Sequence, residues 1–141
     1  MRVLATGVES ACFCYMFGGG LADATAAFVA GILLYVYILG VGGPRLSRIV
    51  GNIGGGALVT LICIICHDLG LGEHLNLMII GSIIPLVPGV AFTNGIRDIA
   101  DGDYISGAVR LLDAILVFTS IAIGVGVMFT LYHRVAGGIL L

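Results

Sequence analysis

The sequence predicts an all-α polytopic membrane protein with about five transmembrane helices, the fourth broken at PLVPG. Three observations carry this. Of 141 residues, 60% are hydrophobic and only 10% charged, with a mean hydropathy of +1.19. A soluble domain carries about a quarter charged residues, so this chain cannot cover a water-facing surface. Its apolar residues gather into runs that approach the about 20 residues a helix needs to cross hydrocarbon, and short glycine-bearing linkers separate them. Pro85 and Pro88 interrupt one of those runs. The net charge of −2 leaves no basic stripe for a nucleic acid. The partner implied instead is the lipid bilayer.

The first span runs from about Val3 to Phe17 and ends in Gly18-Gly19-Gly20. It is shorter than a full crossing. Glu9 interrupts it and no A-x-A site follows, which argues against a signal peptide. The second span starts at Asp23, whose side chain suits an N-cap, and continues to about Leu39. Ala27 and Gly31 form a small-xxx-small pair that admits a close neighbouring helix. The linker Gly40 to Val50 contains Gly42-Gly43-Pro44, Arg45 and Arg48. The third span is about Val50 to Cys66, with Gly51 and Gly55 flanking Asn52. A polar linker, His67 to His74, follows. The fourth span covers about Leu75 to Arg97. Asp101-Gly102-Asp103 then makes a turn, Gly102 suiting a left-handed C-cap and Asp103 the next N-cap. The fifth span, about Tyr104 to Tyr132, is long enough to project beyond the bilayer.

Five spans place the termini on opposite sides. All six cations are arginines. Arg2, Arg45, Arg48, Arg97 and Arg110 then fall on one face and Arg134 on the other. Arginine excess marks the cytoplasmic side, so a multi-pass protein of the cell (inner) membrane is expected, with the N-terminus cytoplasmic and the C-terminus outside. Residues 1–141 read as a single transmembrane domain.

The fourth span is the informative one. Proline lacks an N–H and its ring clashes with the carbonyl four residues back, so Pro85 is expected to free the Gly81 carbonyl and Pro88 that of Ile84. Gly89 relaxes the backbone, and a second helix starts with unpaired N–H groups facing the break. Such a break at mid-membrane is tolerated where backbone is buried in protein or lines a cavity. In secondary transporters it commonly holds the substrate. After it, Asn94, Arg97, Asp98 and Asp101 recur at i, i+3, i+4 and i+7 and share one helix face.

The stretch PLVPGVAFTNGIRDIADGDYISGAVRLLDA resembles the membrane half of the threonine/serine exporter family, which includes bacterial components implicated in succinate export. The matching elements are Pro85 to Gly89, Thr93-Asn94, Arg97-Asp98, Gly102-Asp103, Ser106-Gly107, Arg110 and Asp113, with a weaker match at FGGGLAD, residues 17–23. The resemblance implies ten spans, fused or formed from two chains, so a second five-helix membrane subunit or a homo-oligomer is expected. It also implies a soluble domain ahead of the first helix, which is absent from this sequence. The helix then starts upstream of Met1 in a longer parent, or a separate chain supplies the missing part.

The polar residues each carry two readings. Arg97 and Asp98 line a pathway with Asn94, Arg97 drawing a substrate carboxylate, or they form an interfacial cluster at the end of the span. Ser106, Arg110, Asp113 and Ser120 make a comparable stripe on the fifth helix. Asp113 is deep enough that it should face protein or water, and pairing with Arg110 is its plain alternative. Glu9 is a proton or substrate site, or a pairing residue near the inner interface. Cys63-Ile64-Ile65-Cys66-His67 matches the C-x-x-C-H haem attachment pattern, but both cysteines sit in an apolar run. They read better, with Cys12 and Cys14, as small buried hydrophobes. His67, Asp68, Glu73 and His74 offer metal-binding side chains, with a solvated loop the better account. No cofactor or metal is expected.

The function expected is therefore the membrane component of a secondary transporter, not an enzyme, exporting small polar metabolites of the threonine/serine type. A dicarboxylate (succinate) exporter subunit and a non-transporting membrane scaffold are the alternatives. Asp98 or Asp113 could meet an ammonium group, and Glu9 or Asp113 could couple transport to protons. The expected site residues are Pro85, Pro88, Gly89, Thr93, Asn94, Arg97, Asp98, Arg110, Asp113 and Glu9.

Overall fold

The computed structural model describes residues 1–41 and 47–139, and every element among them is helical. The helices are α1 (Arg2–Met16), α2 (Leu21–Val41), α3 (Arg48–Asp68), α4 (Leu75–Ile83), α5 (Gly89–Ala100) and α6 (Tyr104–Ile139), with a 3₁₀ turn at Ile84–Leu86 between α4 and α5. Gly42-Gly43-Pro44 and Arg45 of the expected linker lie outside the described residues.

Glycine sets three of the helix ends. Gly18, Gly70 and Gly102 have positive φ, and each follows a C-cap residue. At each, the next two N–H groups turn back onto the last carbonyls of the helix, as in Gly102 to Ile99 and Asp103 to Asp98. This is the Schellman arrangement, which a residue with a Cβ adopts only with strain. The turn expected at Asp101–Asp103 forms this way. The Asp103 carboxylate accepts the Ser106 N–H at 3.2 Å, capping α6.

α2, α3 and α6 are each long and apolar enough to cross a membrane, and α4 with α5 makes a fourth crossing if the pair is one span. α1, at 15 residues, remains short. The expected count of about five thus resolves into four crossings at most by length, plus α1. Two boundaries also differ. α2 begins at Leu21, so Asp23 is a first-turn residue and not the N-cap, and α6 continues past Tyr132 to Ile139.

α3 is the centre of the bundle. Its Val59, Cys63 and Cys66 are buried with Ala26, Ala27, Ala30 and Leu34 of α2, Cys14 of α1, and Met78 and Ile79 of α4. Lipid is as apolar as these side chains, so close packing, more than the hydrophobic effect, must hold such helices together. Missing Cβ atoms allow it. A Cβ on Gly31 of α2 would lie 2.5 Å from the Ser10 hydroxyl of α1, and one on Gly81 of α4 would lie 2.7 Å from Cys14. Gly31 therefore serves the contact its Ala27 pairing predicted. The Gly51/Gly55 pair divides: Gly55 meets Leu86 and Leu34, while Gly51 faces open space.

α6 lies along the opposite side of α3 and runs parallel to it. Arg48 meets Asp113 at one end, Asp68 meets Tyr132 at the other, and Gly56 abuts the Ile121 carbonyl between them. These contacts define a common axis with an Arg48 end and an Asp68 end. α1, α3 and α6 run one way along it and α2 and α4 the other, since α1 ends and α2 begins beside Glu73 and His74. The two ends of the described chain therefore lie at opposite ends of the bundle.

Candidate transport site

The break forms where the two prolines require it. α4 stops at Ile83, the 3₁₀ turn holds Pro85, Val87 is extended at φ −72°, ψ 122°, and Pro88 precedes α5. The axes on either side differ by 63°. Leu86 rests on Gly55, seven residues into α3 and about 10 Å from its Arg48 end by helical rise. One expectation fails here. The Ile84 carbonyl is not left free, because the 3₁₀ turn brings the Val87 N–H to it at 3.0 Å. The Gly89 N–H folds back onto the Val87 carbonyl at 2.8 Å. Among the described residues no backbone acceptor reaches the N–H groups of Val90 and Ala91. A Cβ on Gly89 would touch nothing within 4 Å, and Val90 is 77% exposed, so this helix start opens outward.

α5 packs on α6 by one face. Gly95 nestles against Leu111 and Gly107, and Phe92 meets the edge of Phe118 at 5.7 Å. The expected four-residue stripe splits accordingly. Asp98 turns to α6, where Arg110 Nη1 lies 3.2 Å from Oδ2 and the Ser106 hydroxyl donates at 3.4 Å. Arg97 turns outward, 79% exposed, with Asp101 3.7 Å away. An exposed i,i+4 pair is worth about 0.3–0.5 kcal/mol, so this contact yields easily to another anion. Thr93 is exposed, its hydroxyl bonded back to the Gly89 carbonyl at 2.9 Å, and Asn94 is half-buried beside it. Arg97 stands eight residues from Gly89, about 12 Å along the helix, and so is not adjacent to the helix start.

Asp113 does not pair with Arg110, three residues back. Arg110 is drawn across to Asp98 on α5, and Asp113 instead meets Arg48 Nη1 of α3 at 3.2 Å. Both stripe carboxylates are thus tied to arginines of other helices. Ser120 bonds the Leu116 carbonyl at 2.6 Å. Glu9 stands apart, exposed at the middle of α1.

Two residues escaped the sequence reading of the site. Arg48 read as a linker residue, and nothing in its local sequence names Asp113, 65 positions away, as its partner. Asp23 read as a cap, yet its side chain is 2% exposed and collects four donors: the N–H groups of Gly20 (3.0 Å), Glu73 (2.7 Å) and His74 (3.1 Å), and His74 Nδ1 at 3.2 Å. The polar linker at Glu73-His74 was its only sequence signal. Cys63 and Cys66 face the core, Cys63 3.8 Å from the Ser82 hydroxyl. His67 lies near Asp68 and His74 turns to Asp23. Among the described residues, no three His, Cys, Asp or Glu side chains gather as metal ligands would.

A bundle of apolar helices, three long enough to cross a membrane and a further pair bent at a break, defines a multi-pass membrane protein. The family model of the threonine/serine exporters, ThrE, matches residues 1–132. The chain belongs to this family, whose members are transporters. No curated protein and no solved structure matches the chain.

Proposed function

We propose that this chain is the membrane component of a secondary transporter that exports threonine or serine, and that the solute passes along the break and the outward face of α5. The observation that carries this is α5 itself. It spends one face on α6 and presents Thr93 and Arg97 on its far side, with Asn94 half-buried at the flank. Such a face is costly against lipid and suits a water-filled path. Pro85, Pro88 and Gly89 shape the break, whose N–H groups carry partial positive charge, and Arg97 attracts the carboxylate. Asp98 with Arg110, and Asp113 with Arg48, fix α5 and α3 against α6.

The far wall of the path is supplied from outside this chain, by a second five-helix subunit or a second copy. The Arg48 end, which also holds Arg97 and Arg110, faces the cytoplasm across the cell (inner) membrane. Succinate export remains the competing reading, because Asp98 and Asp113 are both engaged by arginines and neither is free to meet an ammonium group. The test is threonine counterflow in proteoliposomes, with and without a five-span partner, comparing wild type with Arg97→Lys and Arg97→Gln at matched insertion. Lysine lacks the forked geometry that pairs with a carboxylate. Arg97→Lys should therefore slow transport and Arg97→Gln nearly abolish it. Normal transport by Arg97→Lys removes the carboxylate role.

A further inference from the structure

The chain has eight acidic residues, and seven have an evident place. Asp23 is filled by four donors, Asp68 accepts the Tyr132 hydroxyl, Asp98 and Asp113 meet Arg110 and Arg48, and Asp101 lies near Arg97. Asp103 caps α6, and Glu73 belongs to the exposed loop before α4. Glu9 has no such place. It is the middle residue of α1, it is exposed, and among the described residues no hydrogen bond or ion pair reaches its carboxylate.

Its depth is fixed by packing. α1 and α4 run antiparallel with Cys14 against Gly81, and α1 also touches the Ile84–Leu86 turn. Five residues back along α1, about 7.5 Å, and five forward through the end of α4 and the 3₁₀ turn, about 9 Å, bring Glu9 close to the level of Leu86. A lone carboxylate at the depth of the break is costly in hydrocarbon and calls for water or a cationic partner. Among the described residues no cation meets it. Ala5 and Cys12, one turn to either side, are small and exposed, which leaves room around the carboxylate. Ser10, its neighbour, points the other way and bonds the Thr6 carbonyl at 3.0 Å.

We propose that Glu9 is the ammonium-binding carboxylate of the transport site and makes that site select amino acids over dicarboxylates. The assignment rests on the transport reading above and sharpens it. The N–H groups at the start of α5 draw the solute's carboxylate beside the break, where Glu9 draws its ammonium group, while Arg97, about 12 Å further along α5, attracts the carboxylate along the path. A dicarboxylate would instead set a second anion against Glu9. The role first offered to Asp98 or Asp113, both held by arginines, falls to Glu9, which no arginine meets among the described residues.

The test uses the full chain in proteoliposomes, with its partner subunit if transport requires one. Threonine counterflow is measured alongside competition by N-acetylthreonine and by succinate, neither of which carries an ammonium group. Glu9→Gln keeps the shape and removes the charge. It should slow threonine about tenfold or more, the scale of one charged hydrogen bond, while the two anions compete better than they do in wild type. Glu9→Asp should restore part of the threonine rate. A Glu9→Gln protein that moves threonine normally overturns the assignment. So does one that loses threonine transport with no gain in anion competition, since that marks a structural or proton-coupling role. A wild type that moves no threonine overturns the transport reading and the assignment together.

Discussion

Asp23 shows how much a single buried carboxylate can organise. Its two oxygens hold the start of α2 through Gly20 and the start of α4 through Glu73 and His74. Asp23→Ala removes the acceptor of three part-buried backbone N–H groups, each worth about 0.5–1.5 kcal/mol as a hydrogen bond. Asp23→Ala should therefore lower the melting temperature in detergent far more than Asp23→Asn, whose amide oxygen still accepts. Equal losses in the two variants would mean that the carboxylate's charge, and not its acceptor geometry, holds the loop. At this scale the sequence was readable only where partners are near neighbours. Asp103 was legible as a cap because Ser106 is three residues away. The cross-helix roles of Asp23, Arg48 and Asp113 were not, because Glu73 and His74 lie 50 or more positions from Asp23, and Arg48 lies 65 from Asp113.

Among the elements, the broken span was the most legible, since proline's missing N–H acts locally whatever surrounds it. What the sequence could not supply was how the break is repaired. A 3₁₀ turn uses the Ile84 carbonyl, and the 63° bend that follows sends α5 out along α6. That bend separates the two faces of α5, Asp98 inward and Arg97 outward, where periodicity alone had joined them. Pro85→Ala with Pro88→Ala should let α4 run straight into α5. With two helix breakers gone, worth about 3 kcal/mol each in a helix interior, helicity by circular dichroism should hold or rise. Threonine transport should fall at least tenfold, because straightening the span removes both the opening at Gly89 and the outward set of Arg97. A double variant that transports at the wild-type rate would place the path elsewhere in the bundle.

At the scale of the whole molecule, helix direction follows from a few cross-helix contacts. The Arg48–Asp113 and Asp68–Tyr132 pairs make α3 and α6 parallel, an arrangement that hydropathy alone does not reveal. With α4 and α5 descending between them, the loop at Glu73 and the turn at Asp103 sit at opposite ends. Arg48, Arg97 and Arg110 share the Asp103 end, while Arg134 lies toward the other, and arginine excess is the ground on which the Asp103 end is proposed to face the cytoplasm. Both loop positions are exposed, so a thiol at either can meet a reagent in water. In a background with Cys12, Cys14, Cys63 and Cys66 replaced, Glu73→Cys in intact cells should react with a membrane-impermeant maleimide. Asp103→Cys should react only after the membrane is opened. Labelling of both positions from outside would mean that α4 and α5 enter and leave on one side as a re-entrant pair. That result would make the 63° bend a hairpin tip and not a crossing. The reverse pattern, Asp103→Cys outside and Glu73→Cys protected, would keep the helix directions and invert the whole bundle, turning the break's access and Glu9 with it.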